Sequence, residues 1–140
     1  MQTGEEKSTN TQNGGKPLKV MIVDDDQFLL NMYSLKFKND GFEVILETSA
    51  VNALQKLKDG YAPDIVLLDF IMPDMNGLDF LEHVRKANFI PQAKIIALTN
   101  QNQPDDVDRA KKLGVLKYIV KASTIPSEVV NEVKKILAGM

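Results

Sequence analysis

The sequence has 140 residues, 44% of them apolar, and 17 basic against 19 acidic side chains give a net charge of −2. That length reads as one globular domain burying roughly two-thirds of its unfolded surface, and the balanced charge gives no attraction to nucleic acid or to an anionic membrane. With no cysteine and a single histidine, His83, disulfides, thiolate zinc sites, cysteine nucleophiles and poly-histidine metal sites are excluded.

Residues 1–17 are polar and rich in Gly, Asn and Thr, so a disordered tail is expected ahead of a domain over 18–140. The stretch has no secretory apolar segment, and no later run approaches the roughly 20 residues of a membrane span, so a cytoplasmic protein is expected. Short apolar runs then alternate with helical patterns. Strand Leu18–Val23 precedes a helix over Gln27–Asn39, which Gly41 closes. Strand Phe42–Glu47 precedes helix Val51–Asp59, closed by Gly60. The third strand, Ile65–Asp69, leads to helix Leu78–Asn88. The fourth, Lys94–Leu98, leads to helix Asp105–Leu113 and Gly114. After strand Leu116–Val120, Pro126 suits the first turn of a last helix, Ser127–Ala138, whose Val129, Val133, Ile136 and Leu137 form one stripe. Nearly continuous apolar strands alternating with helices predict an open α/β sandwich around a parallel sheet. Only Ala138-Gly139-Met140 follow, so no output domain is expected in this sequence.

In such folds ligands bind outside the carboxyl ends of the strands. Those ends carry Asp24-Asp25-Asp26, Asp69, Thr99 and Lys121. Asp26 is explained as the cap of the first helix. Asp24, Asp25 and Asp69 are not, because one helix start needs one cap. Carboxylates gathered at one rim repel each other and need raised pKa values or a cation. An all-oxygen ligand set suits a hard ion such as Mg²⁺. With Lys121 for compensating charge and Thr99 as a neutral donor, the set is equipped for phosphoryl transfer to an aspartate. His83, between Glu82 and Arg85, reads as a solvated surface group, and Met72 and Met75 as loop packing.

Four segments together carry a family resemblance: Val20-Met21-Ile22-Val23-Asp24-Asp25-Asp26, Asp64 through Gly77, Ile95-Ile96-Ala97-Leu98-Thr99 and Tyr118-Ile119-Val120-Lys121. Over Leu18 to Leu137 the sequence resembles a response regulator receiver domain of two-component signal transduction, of the single-domain chemotaxis-regulator kind. The resemblance implies a flavodoxin-like, doubly wound sheet of five parallel strands in the order 2-1-3-4-5, with five helices. It implies Asp69 as phospho-acceptor, charged from a phosphohistidine on a sensor histidine kinase or histidine phosphotransfer protein. It further implies Mg²⁺ held by Asp24, Asp25, Asp69 and the Ile71 backbone carbonyl. Lys121 would pair with Asp69 and the phosphoryl oxygens, and Thr99 and Tyr118 would form the switch. Gly77 and Pro73 would shape the loop before the third helix. The output would be a changed face for a downstream protein partner.

Two departures stand out. Asn100 follows Thr99 where the family has a small residue, and Ala122 follows Lys121 where the family has a cis-proline. Without proline the Lys121–Ala122 bond is expected to be trans, since cis costs roughly 2.5–4 kcal/mol. Ile71, Asn100 and Gln101 would border the approach of hydrolytic water. Ile71 and Asn100 obstruct it while Gln101 could orient a water, so a long phosphorylated lifetime is expected. Three other functions compete. A degenerate receiver acting without phosphorylation is the nearest. An aspartate-nucleophile phosphohydrolase would need a second acid where Ile71 stands. A flavodoxin-like electron carrier would bring a flavin phosphate against Asp24-Asp25-Asp26.

Overall fold

Five apolar segments form a single parallel sheet in the computed structural model, which describes residues 11–13, 16–100 and 104–139. The strands are β1 (Lys19–Val23), β2 (Glu43–Glu47), β3 (Ile65–Asp69), β4 (Lys94–Thr99) and β5 (Val115–Val120). They lie in the order β2-β1-β3-β4-β5, the doubly wound arrangement expected. β3, at the centre, is buried along its whole length, as helices on both faces require.

The helices are α1 (Gln27–Asn39), α2 (Ala50–Lys58), α3 (Gly77–Ala87), α4 (Pro104–Lys112) and α5 (Pro126–Ala138). Four of them begin one residue before the expected start. For α2 and α3 the reason is the cap: Ser49 accepts from the Asn52 N–H at 3.1 Å and Asn76 from the Asp79 N–H at 2.9 Å. α5 opens with Pro126 in its first turn, and the Glu128 carboxylate reaches back to accept from the Ile125 N–H at 3.0 Å. Gly60, past α2, has φ 106°. A Cβ there would meet nothing within 4 Å, so the left-handed backbone, not space, calls for glycine. At Gly77 the reverse holds: a Cβ would stand 2.6 Å from the Asp69 carbonyl oxygen and 2.7 Å from the Phe70 Cα.

Strand alternation divides the core in two. Val20, Ile22, Ile65, Leu67, Ile96, Leu98 and Ile119 face α1 and α5, where they pack on Leu30, Tyr33, Phe37, Val129, Val130 and Val133. Met21, Val23, Val66, Leu68, Ile95 and Ala97 face α2, α3 and α4, and pack on Leu54, Leu57, Phe80, Leu81, Val84 and Ala110. Within the five-stranded sheet one strand departs from regular pairing. Ile95 pairs with Val115 and Ile96 with Lys117, so Leu116 is an extra residue on the edge strand β5.

Of the expected tail, 1–10 and 14–15 lie outside the described residues. Thr11–Asn13 pairs antiparallel with Lys16–Pro17, apart from the main sheet, which no apolar periodicity announces. No described residue forms a cis peptide bond, so Lys121–Ala122 is trans as expected. Lys121–Ser123 turn in a short 3₁₀ segment before α5. No helix among the described residues is long and apolar enough to cross a membrane.

Candidate functional site

β1 and β3 both end at the carboxyl rim, and the alternation that buries Ile22 and Leu67 toward α1 carries on into Asp24 and Asp69. Ile119 on β5 is followed in the same way by Lys121. Three groups from three strands therefore converge. The Lys121 Nζ donates to Asp24 Oδ2 at 2.9 Å and to Asp69 Oδ2 at 3.2 Å. The second oxygens are held by backbone: Asp24 Oδ1 accepts from the Asp26 N–H at 3.0 Å, and Asp69 Oδ1 from the Ile71 N–H at 3.1 Å. Asp26 caps α1 through the Leu29 N–H at 3.1 Å, the structural role expected of it.

Asp25 is exposed at the mouth, whereas Asp24, Asp69 and Thr99 are buried. Asp24, Asp25 and Asp69 each place a carboxylate oxygen within 4.8 Å of the others. That spacing and the all-oxygen chemistry fit a single hard cation. Burial raises the Asp69 pKa, and neither the Ile71 N–H nor the Lys121 charge fully offsets it. Burial alone would lower Lys121, but hydrogen bonds and charge from Asp24 and Asp69 outweigh it and hold the ammonium above its ordinary value. The site is thus a desolvated acid pair clamped by one lysine, with a third carboxylate at the entrance.

The opening is a cleft of about 400 Å³ lined by Asp25, Asp26, Asp69, Ile71, Asn100 and Lys121. A larger hollow of about 540 Å³ lies between β5 and α5, bordered by Ile119, Val120, Asn131 and Glu132. Among the described residues it gathers no metal-binding acid cluster, so converging charge rather than volume locates the chemistry. Ile71 stands 60% exposed at the cleft. Gln101 lies outside the described residues.

Thr99 and Tyr118 occupy the opposite face. Thr99 continues the alternation of Ile95 and Ala97, and Tyr118 pairs with Ala97 in register. The half-buried Tyr118 ring meets Phe70 edge-on, with centroids 5.6 Å apart. His83 is exposed, and Met72 and Met75 pack in the core of that face, as expected.

Two features are not legible from motif spacing. Asp74 accepts from the Ser49 hydroxyl and from the Val51 N–H, tying the loop after β3 to the start of α2. The Ser49 hydrogen bond holds the Asp74 carboxyl below its ordinary range. Tyr33 on α1 is wholly buried, and its hydroxyl has no hydrogen-bond partner among the described residues. Burial, then the charge of Asp24, pushes its pKa up to about 12. An unpaired buried hydroxyl costs roughly 1–3 kcal/mol.

Residues 20–134 match the family model described as the response regulator receiver domain. The chain belongs to that family. The receiver is 38% identical over 119 residues to the chemotaxis protein CheY of Thermotoga maritima, covering 84% of this chain and 96% of the relative. To CheY of Listeria monocytogenes it is 40% identical over 106 residues, 74% of this chain and 86% of the relative. The crystal structure of a CheY-like receiver from Methanospirillum hungatei superposes with a TM-score of 0.80 at 26% identity, covering 89% of this chain and 96% of that one. Vibrio cholerae CheY4 gives 0.77 at 26% identity, covering 85% and 98%. The acidic pocket of this receiver fits the regulatory, phosphorylation-linked role of the family.

Proposed function

We propose that this receiver is a signalling switch that takes a phosphoryl group on Asp69 from a phosphohistidine of a sensor histidine kinase or histidine phosphotransfer protein. The reading is carried by one observation: a single buried ammonium, Lys121, bridges Asp24 and Asp69 beside a third carboxylate. An Asp69 oxygen attacks phosphorus in line. As the O–P bond forms, the N–P bond breaks, and the imidazole leaves with the bonding pair and takes a proton from solvent. A Mg²⁺ held by Asp24, Asp25, Asp69 and the Ile71 carbonyl would supply further neutralisation of the phosphoryl oxygens. Lys121 pairs with the added charge. Thr99 then hydrogen-bonds the phosphorylated state, Tyr118 follows it, and a downstream protein partner reads the altered surface.

Intact mass after treatment with acetyl phosphate, with and without Mg²⁺, tests the reading. One phosphoryl group is expected on the wild type with Mg²⁺ and none on Asp69→Ala; undiminished labelling of that variant would overturn it. The same assay times the label. Ile71 and Asn100 at the cleft narrow the path of an in-line water, so decay without a phosphatase is slow. Replacing them together, Ile71→Asn with Asn100→Ala, speeds it; an unchanged or slower decay would contradict the steric account.

A further inference from the structure

Two tyrosine hydroxyls are buried without a partner among the described residues, on Tyr33 and Tyr61. Tyr61 stands away from the acid cluster: the Lys19 ammonium lies 5.9 Å from its ring centroid, and the charges acting on its hydroxyl are Glu43 and Asp64. Tyr33 is aimed at the site, on three grounds. It packs in one cluster with Ile22, Leu67 and Ile119, the residues whose alternation leads into Asp24, Asp69 and Lys121. Its Cα–Cβ bond tilts toward the N-terminus of α1, as in any helix, and that terminus is the Asp26 cap. The charges that act on its hydroxyl are those of Asp24, Lys121, Asp26 and Asp69.

In the arrangement described, Asp24 is already supplied with donors, Lys121 on Oδ2 and the Asp26 N–H on Oδ1. A phosphoryl group on Asp69 adds charge beside Lys121 and draws the ammonium toward itself. A cation on the acid cluster would take one lone pair of Asp24 but supply no hydrogen bond. The carboxylate is wholly buried, so bulk water does not reach the position Lys121 gives up, and a buried acceptor short of a donor is costly. We propose that Tyr33 is a positioning residue whose hydroxyl, idle in the resting state, donates to Asp24 when Lys121 turns to the phosphoryl group. This rests on Asp69 being the acceptor. The hydroxyl thereby favours the phosphorylated state over the resting one and keeps Asp24 oriented while the lysine is engaged elsewhere.

Tyr33→Phe tests this because it keeps the ring and removes only the oxygen. The probe is beryllofluoride with Mg²⁺, which imitates a phosphoryl group on a carboxylate oxygen, and its bound ¹⁹F signal is titrated. In the variant the resting protein melts at the same temperature or higher, since the hydroxyl had no partner to lose. Beryllofluoride affinity falls about tenfold, the effect of one hydrogen bond to a charged acceptor. In a Lys121→Ala background the same substitution has no further effect, because no lysine moves. Unchanged affinity in Tyr33→Phe would overturn the inference. So would a lower melting temperature with unchanged affinity, which would mean the hydroxyl is satisfied at rest, or an equal loss in both backgrounds. Failure of the wild type itself to bind beryllofluoride would instead remove Asp69 as acceptor, and the role of Tyr33 with it.

Discussion

The face of the sheet under α1 and α5 carries Asp24, Asp69 and Lys121, while the face under α2, α3 and α4 carries Thr99 and Tyr118. On the first, polar groups are locked to one another: a lysine bridges two buried acids at 2.9 and 3.2 Å. On the second, the Tyr118 ring meets Phe70 edge-on, with centroids 5.6 Å apart, beside the core cluster of Met21, Val66 and Phe80. Charge is therefore handled on one side and packing on the other. What links them is adjacency along a strand, since Thr99 lies between Leu98 and Asn100, which point to the acid side.

The comparison can be broken most forcefully at the lysine. Lys121→Ala leaves two buried carboxylates facing each other without a cation, and breaking such a pair costs about 3–5 kcal/mol. Urea unfolding at neutral pH in chelator should show a loss of that order, partly recovered by added Mg²⁺. A loss under about 1 kcal/mol, a usual value for an exposed pair, would mean the two acids are not a desolvated unit.

The opposite face gives a smaller and different effect. Thr99→Ala should leave the extent of Asp69 labelling unchanged. If Thr99 and Tyr118 act as the proposed switch, the substitution should lower the switched population roughly fivefold, about 1 kcal/mol, the worth of one hydrogen bond. Aromatic NMR of Tyr118 with and without beryllofluoride reads this directly; a parallel drop in labelling would erase the distinction between the faces.

The smallest effect belongs to Asp74. Its folded pKa lies below the unfolded value of about 3.9, first through the Ser49 hydrogen bond. Its contribution is thus present above that value and fades as pH falls through the lower folded one. The group is exposed, so no more than about 0.5 kcal/mol is expected. Asp74→Ala should lower the unfolding midpoint slightly at pH 7 and not at pH 2; an equal difference at both would contradict the charge-based account.

Element boundaries were readable to within about a residue because buried parallel strands are apolar on both faces, so each stands out as a run, with glycine punctuating the helices. The acids at the rim were readable for a related reason. A charge ending an apolar strand, as at Asp24 and Asp69, conflicts with its surroundings and so advertises a purpose. Tyr33 sends no such signal, since an aromatic on a helix resembles any core residue until the opposing element is known. The Asp74–Ser49 tie joins positions 25 apart in sequence, and polar contacts of that range follow no periodicity. The stripe of α5 was read without Val130, which the structure buries, because contact with α1 widens the covered face. On α1 itself Phe28 and Leu35 are exposed, so its apolar residues run around the helix instead of marking one side.

Leu116, the extra residue on β5, acts on the molecule's outermost ladder of unpaired backbone groups. An unbroken edge strand is a template onto which another chain can zip, and a single misaligned residue spoils the repeat that zipping requires. With Leu116 and Lys117 both turned to solvent, the next chain would meet a kink and a charge where it needed a straight row of donors and acceptors. Interrupted in this way, the rim of the sheet resists growth into a larger one, and recognition along this side falls to side chains.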